Sequence, residues 1–132
     1  MHKLILLTMA LLALPAQAFN MHRCAMPREG GIQEKISLLM DNQLRLAGFI
    51  WTFYHSPERQ CRLSADTFRE VSPERYVGAG GCELQTWRQG ARQTLAVISQ
   101  ESCLAAYCTA RMRPDILGLP IAVDLRTANC SD

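Results

Sequence analysis

The sequence predicts a small all-β domain, either an antiparallel barrel or a sandwich of about seven strands, stapled by disulfide bonds. Several segments alternate apolar and polar residues with the period of two that is typical of a strand with one buried face. Short turn sequences separate these segments, the pattern indicates no long helix, and one short helix is a candidate near residues 100–112. The chain also contains six cysteines, an even number that suits disulfide bonding.

The first eighteen residues have the pattern of a secretory signal peptide. A lysine precedes an apolar run from Leu4 to Leu14, and the small-x-small sequence Ala16-Gln17-Ala18 follows. The apolar run is shorter than the roughly 20 residues that a membrane-spanning helix needs. We therefore expect cleavage after Ala18, a single β-rich domain over residues 19–132, a periplasmic or secreted location and no membrane insertion after cleavage.

All the cysteines lie after the predicted cleavage site, and we expect all of them to form disulfides because an exported chain enters an oxidising compartment. They are Cys24, Cys61, Cys82, Cys103, Cys108 and Cys130. A tight loop closed by a bond between residues 103 and 108 is the favoured arrangement, although it requires the chain to fold back between them. The alternative is a short helix after a Ser99 cap that ends before Pro114, with each cysteine paired elsewhere.

Charge provides little indication of an anionic partner. The formal net charge is +2, and the basic residues are dispersed, with no run longer than the pair in Arg111-Met112-Arg113. This distribution has no electrostatic signature for nucleic acid or for an anionic membrane. We expect a protein partner and no cofactor.

Residues 19–34 are predicted to form an irregular tail, because Pro27 and the Gly30-Gly31 pair interrupt any periodicity. From Ile36 onwards the even positions are apolar and most odd positions are polar, which predicts a strand, although a helix can also be drawn through this segment. A three-residue loop over residues 41–43 would pair residue 40 with 44 and 38 with 46, keeping the apolar side chains on one face.

The next strand continues into the segment AGFIWTFY, in which both faces are apolar. Either this strand is covered on both faces, or a bulge at Gly48 exchanges the faces, or the stripe formed by Phe49, Trp51 and Phe53 is exposed to a partner. Burial is the more frequent fate of large apolar side chains. The stripe is nevertheless the first candidate partner-binding element.

The remaining strands follow short turns. Residues 61–65 alternate again, and residues 75–77 follow a turn at Ser72-Pro73. A last strand is predicted over residues 119–126, with Pro120 at its start or on an edge. We identify no internal repeat in the sequence.

The clearest hairpin is CELQTWRQGARQTLAVI, residues 82–98. A turn centred on Gln89-Gly90 would pair Leu84 with Leu95, and Cys82 with Val97, so that apolar residues face each other. The same register places Trp87 opposite Arg92 on the outer face. This pair is the second candidate partner-binding element, because tryptophan and arginine are frequent anchors of protein interfaces.

Only two segments suggest reactive chemistry. Met21, His22, Cys24 and Met26 together offer the thioether, imidazole and thiolate groups that suit Cu(I), so a periplasmic copper-binding protein is the first alternative function. A small hydrolase with His55 as its general base is the second. The favoured function is a non-enzymatic binding protein, of the inhibitor or immunity type, that acts on a cell-wall hydrolase or toxin; this expectation rests on size and fold class.

Overall fold

Two antiparallel sheets pack face to face in the computed structural model, which describes residues 18–132. Residues 1–17 of the predicted signal peptide lie outside this range. The first sheet has the strand order β1-β2-β3-β4, with β1 at Asn20–Pro27, β2 at Gln33–Met40, β3 at Leu46–Ser56 and β4 at Arg59–Ser64. The second sheet has the order β10-β9-β8-β7-β6-β5, with β5 at Arg69–Ser72, β6 at Arg75–Val77, β7 at Glu83–Gln89, β8 at Arg92–Val97, β9 at Ile121–Asp124 and β10 at Cys130–Ser131. Helix α1, Gln100–Tyr107, lies between β8 and β9.

The predicted all-β fold class is confirmed as a sandwich, and the sheets do not close into a barrel. Alternate residues of the strands point into the space between the sheets and form the core. On β2, Ile36, Leu38 and Met40 are buried, and on β7 and β8 the buried residues include Leu84 and Leu95. Burying a side chain of this size stabilises a fold by roughly 1.5–3 kcal/mol.

The irregular tail predicted for residues 19–34 is wrong over most of its length, because residues 20–27 form β1. This strand pairs with all of β2, from Asn20 opposite Met40 to Pro27 opposite Gln33. Pro27 is tolerated because it ends an edge strand, where the missing N–H disrupts little pairing. The glycine pair makes the turn into β2 instead of breaking the sheet.

The β2–β3 register also differs from the prediction. Leu39 lies opposite Gly48 and Met40 opposite Leu46, so Ala47 is an extra residue in a β-bulge. The connecting loop therefore spans residues 41–45, two residues more than the predicted loop. Because the bulge shifts the alternation by one residue, the interpretation in which a bulge exchanges the faces is confirmed, although the bulge lies at Ala47 and not at Gly48.

The β7–β8 hairpin forms, but with a different turn. Gln89 pairs with Arg92 across a two-residue turn in which Gly90 has a φ of 60°. Glycine adopts this left-handed conformation without strain, which favours a turn with Gly90 in its first position. The predicted pairs shift by two residues, an even number, and so each side chain stays on its predicted face. Trp87 therefore lies opposite Thr94, and the predicted pairing of Trp87 with Arg92 is wrong.

The structure contains a repeated turn that the sequence analysis missed. Arg28 N–H donates to the carbonyl of Ile32 at 2.7 Å, and fifty residues later Gly78 N–H donates to that of Cys82 at the same distance. Both turns contain a glycine pair with positive φ, and both are followed by a β-hairpin. The glycines are Gly30, Gly31, Gly80 and Gly81. The two halves of the sandwich thus share a meander of strands although little beyond the glycines is common to their sequences.

The disulfides are Cys24–Cys130, Cys61–Cys108 and Cys82–Cys103. The favoured bond between residues 103 and 108 is therefore wrong, and the helical alternative is confirmed. Helix α1 is attached to β4 through residue 108 and to the start of β7 through residue 103, whereas Cys24–Cys130 joins edge strands of the two sheets. Three disulfides are typical of a protein from an oxidising, extracytoplasmic environment.

Ser99 precedes α1 as predicted but does not cap it with its side chain. Its hydroxyl accepts a hydrogen bond from the N–H of Glu83 at 2.7 Å and donates to the carbonyl of Gly81 at 3.1 Å. Ser99 therefore attaches the start of the helix to the second glycine turn.

A buried ion pair lies beneath the first glycine turn. Glu34 occupies an inward position of β2 and is fully buried, and its carboxylate contacts the guanidinium of Arg28, which is itself buried. The indole N–H of Trp51 donates to the second carboxylate oxygen at 2.6 Å. Arg28 also contacts Asp132 at 3.2 Å. Burial raises the pKa of Glu34, and the hydrogen bonds from Arg28 and Trp51 only partly offset this effect.

Gly78 allows a close contact between the second glycine turn and α1. The ring of Tyr107 stacks on Phe68 with centroids 4.9 Å apart, and its hydroxyl accepts a hydrogen bond from the N–H of Ala79 at 2.8 Å. A Cβ on Gly78 would overlap the Tyr107 hydroxyl and lie 2.8 Å from a ring carbon of Phe68. This position therefore requires glycine for space, at a φ of −116° that any residue can adopt.

We expect Gly78→Ala to lower the free energy of unfolding by about 1–3 kcal/mol, because the added methyl group must displace both rings. Urea denaturation measures this change. Gly48→Ala is the matched control, since its Cβ would meet Leu39 at an ordinary 3.6 Å. An equal loss of stability in the two variants would contradict the steric explanation.

Candidate binding site

One end of the sandwich opens into a cleft of about 590 Å³. The first sheet contributes the β2–β3 loop, and the second contributes β5, β6 and the adjacent ends of β7 and β8. The floor is formed by Tyr76, Thr86 and Gln93, which are buried and hold inward-facing positions. Thr86 and Gln93 are too polar to complete the apolar core. Helix α1 and two of the disulfides lie at the opposite end of the sandwich.

The β2–β3 loop at the rim of the cleft is tightly hydrogen-bonded. The Asp41 carboxylate accepts from the N–H groups of Gln43 and Arg45 at 2.8 and 2.9 Å. The backbone of Asp41 also bonds Arg45 at 2.9 Å and Leu44 at 3.0 Å. From the opposite side of the cleft, the Arg88 guanidinium donates to the carbonyl of Leu44. These bonds stabilise the observed conformation of the loop.

Leu44 is the unusual residue of this loop. Its φ is 57°, in the left-handed region that a bulky residue rarely occupies. Its side chain is 48% exposed beside the cleft. A leucine held in this conformation carries strain of about 1–2 kcal/mol, which the surrounding hydrogen bonds must offset. The structure thus presents one apolar side chain to solvent on a rigid support.

The rest of the cleft carries charges of both signs. Three carboxylates and two guanidinium groups line it, from Asp41, Glu70, Glu74, Arg45 and Arg88. Tyr76 packs edge-on against Phe49 with centroids 5.6 Å apart. Burial and the nearby negative charge of Glu70 raise the pKa of Tyr76. Its phenol therefore stays neutral and can donate a hydrogen bond at the floor of the cleft.

The exposed aromatic stripe does not form. Phe49, Trp51 and Phe53 are all buried in the core, with exposures of 4% or less. The bulge at Ala47 turns these residues inward, because each lies opposite a buried residue of β2. The outward side chains of β3 instead include Ile50, Thr52 and Tyr54. The hypothesis that this stripe binds a partner is therefore wrong.

Trp87 and Arg92 lie on the outer face of the second sheet. Trp87 is half-buried and borders the cleft. None of the other four predicted partner-binding residues lines the cleft. Arg92 is exposed, lies opposite Asp124 of β9 and donates a hydrogen bond to the Ser131 hydroxyl at 2.9 Å. Only Trp87 is therefore placed near the candidate site.

Two features of the structure do not support the copper-binding hypothesis. Cys24 is bonded to Cys130 and is not available as a thiolate. In β1 the exposed Met21 also lies on the face opposite that of His22 and Met26, because side chains alternate along a strand. Across residues 18–132 no group of three or more His, Cys, Asp or Glu side chains is arranged to hold a metal.

His55 does not support the hydrolase hypothesis. Its exposed ring lies against the first glycine turn, where a Cβ on Gly31 would be 3.1 Å from ring atom Cδ2. This turn is at the end of β3 remote from the β2–β3 loop, so His55 contributes nothing to the cleft.

Protein-family models, curated proteins and solved structures were compared with the chain, and none of them matches it. Within the described range, none of the helical segments has the length and apolar character required to cross a bilayer.

Proposed function

We propose that this chain is a small exported binding protein that captures a protein partner at the open end of the sandwich and performs no catalysis. The observation that carries the proposal is Leu44, an exposed apolar side chain held in a strained conformation at the rim of a cleft. Strain of this kind persists only where neighbouring interactions impose it, and it is concentrated at binding and catalytic sites.

The surroundings of Leu44 have the composition of a protein interface. An apolar anchor lies among polar and charged groups that remain solvated at the rim, as in most transient interfaces. The hydrogen bonds of Asp41 and Arg88 fix the loop before a partner arrives. Because little conformational entropy is lost on association, a rigid loop increases affinity without additional contacts.

The narrower form of the proposal is an inhibitor or immunity-type protein in the periplasm or outside the cell, which acts on a cell-wall hydrolase or toxin. The signal-peptide pattern of residues 1–18 and the three disulfides support export. The small size of the domain and its rigid loop support an inhibitory role by analogy with such proteins, and no sequence motif adds to this analogy.

We expect Leu44→Gly to weaken binding of the partner by at least about 30-fold, the loss typical of an interface hot spot. The variant should keep its free energy of unfolding within about 1 kcal/mol, because relief of the left-handed strain offsets the greater chain entropy of glycine. Affinity capture from a periplasmic extract with the mature protein, followed by mass spectrometry and titration of the captured protein, measures the change.

The control is Ile98→Ser, which removes an apolar side chain of similar exposure, 51%, outside the cleft. It should leave capture unchanged. If Leu44→Gly retains the partner while Ile98→Ser loses it, the binding site is not the open end of the sandwich.

A further inference from the structure

The outward face of the first sheet collects basic residues that are far apart in the sequence. The strand register places Arg23, Ser37 and Ile50 side by side in one row across the sheet. The adjacent row contains Lys35, Thr52 and Arg62. Rows on one face are roughly 7 Å apart, and adjacent strands are roughly 5 Å apart. The three cations, Arg23, Lys35 and Arg62, therefore surround the hydroxyls of Ser37 and Thr52.

These cations lack an acidic counterpart on the sheet. In the described strands β1 to β4, no outward position is occupied by Asp or Glu. None of the ion pairs within residues 18–132 includes Arg23, Lys35 or Arg62. The face therefore has a local positive charge, although the net charge of the whole chain is small.

An apolar depression of about 420 Å³ lies beside the cations on the same face. Its walls include Met21, Leu39 and Ile50, and Gly48 leaves its floor open because it has no side chain. Met21 and Ile50 are among the most exposed large apolar residues in the described chain. Asp66, the one carboxylate at the depression, follows β4 and lies beyond the outward rows of the sheet.

We propose that this face binds an anionic lipid, with the phosphate of the head group over Ser37 and Thr52 and an acyl chain in the depression. The cations and hydroxyls supply charge-assisted and neutral hydrogen bonds to phosphate oxygens. The adjoining depression matches the apolar part of the same molecule. This site lies on the outward face of the first sheet and shares only Ala47 with the proposed protein-binding cleft, and it does not depend on the function proposed for that cleft.

An acidic peptide fits the face less well. A peptide docked on a sheet gains most of its affinity from the backbone groups of an edge strand, and a sheet face exposes none. The edge of β4 is already occupied, since the N–H of Thr109 donates to the carbonyl of Gln60 at 2.9 Å and a disulfide joins Cys61 to Cys108. Side-chain cations beside an apolar depression are better matched by a lipid.

Co-sedimentation of the purified mature protein with vesicles tests this proposal. We expect binding to vesicles that contain phosphatidylglycerol, a decrease at high ionic strength, and little binding to phosphatidylcholine alone. Lys35→Glu with Arg62→Glu should weaken binding to the anionic vesicles at least tenfold. Ile50→Ser should weaken it without changing the dependence on salt. Soluble glycerol phosphate should compete only weakly, because it lacks the acyl chain.

The matched control is Arg69→Glu with Arg126→Glu, which changes the net charge equally on residues of the other sheet and its β9–β10 connection. This double variant should bind like wild type, and thermal unfolding should confirm that both double variants fold. Equal losses in the two double variants would show non-specific attraction and overturn the proposal. Absence of wild-type binding to anionic vesicles, or binding to polyglutamate instead, would also overturn it.

Discussion

Replacing Glu34 with alanine is expected to lower the free energy of unfolding by about 3–5 kcal/mol, because it leaves the buried Arg28 guanidinium with the exposed Asp132 as its only carboxylate partner. The side chain of Arg28 is only 6% exposed, and so water cannot take over the role of Glu34. The indole N–H of Trp51 loses its acceptor in the same variant. Guanidinium chloride denaturation with the disulfides intact measures the loss.

The control replaces both charged residues, with Arg28→Met combined with Glu34→Met. A buried ion pair can often be exchanged for apolar side chains of similar volume at little cost, because the desolvation penalty disappears with the charges. We expect the double variant to recover at least half of the stability that Glu34→Ala loses. A double variant as unstable as the single one would show that Glu34 acts through packing and not through its charge.

The pH dependence of stability should also reflect Glu34. Its pKa is raised in the folded state above the ordinary value of 4.5, so the folded protein binds this proton more tightly than the unfolded chain. The contribution to stability is therefore complete below the ordinary pKa and is lost as the pH rises through the folded pKa. Relative to Glu34→Gln, the wild-type protein should lose free energy of unfolding as the pH rises above the ordinary pKa of 4.5. If the stability of the wild-type protein relative to Glu34→Gln increased with pH, the pKa of Glu34 would have to be lowered in the folded state.

Removal of the Cys24–Cys130 disulfide by a double replacement with alanine should cost about 4–5 kcal/mol. This bond closes a loop of 106 residues, the longest in the protein, and therefore restricts the unfolded chain more than the other two bonds. It is also the covalent link between edge strands of the two sheets. Chemical denaturation of the double variant, compared with wild type, measures the loss, and a change below about 1 kcal/mol would contradict the entropic argument.

The alternation of apolar residues predicted the strands and their buried faces better than their pairing. In the β7–β8 hairpin, a shift of two residues leaves every side chain on the same face, so the pattern cannot distinguish the two registers. In β3 the bulge at Ala47 decides which aromatic residues are buried, and only packing against β2 determines where the bulge lies. Strand β1 was missed because its inward side is mixed, with His22 beside Cys24 and Met26.

The candidate sites were harder to predict for related reasons. The pattern assigns Leu44 to a strand. Its left-handed conformation depends on hydrogen bonds that the Asp41 carboxylate accepts and the Arg88 guanidinium donates, and a sequence does not reveal them. Asp41-Asn42 was a signal for a turn but gave no indication of its length. The three cations of the outer face come from three strands, and only the observed register brings them together.

Each half of the sandwich is a meander of strands, and this arrangement affects the order in which the disulfides form. Each meander joins strands that are neighbours in sequence, so it can assemble before the other half is present. Cys82–Cys103 lies within the second half and spans 21 residues, whereas Cys61–Cys108 and Cys24–Cys130 connect the halves over 47 and 106 residues. Since closing a longer loop costs more entropy, we expect the local bond to form first and the two bonds that connect the halves to form later. A chain that emerges gradually into an oxidising compartment would meet its partner cysteines in that same sequence.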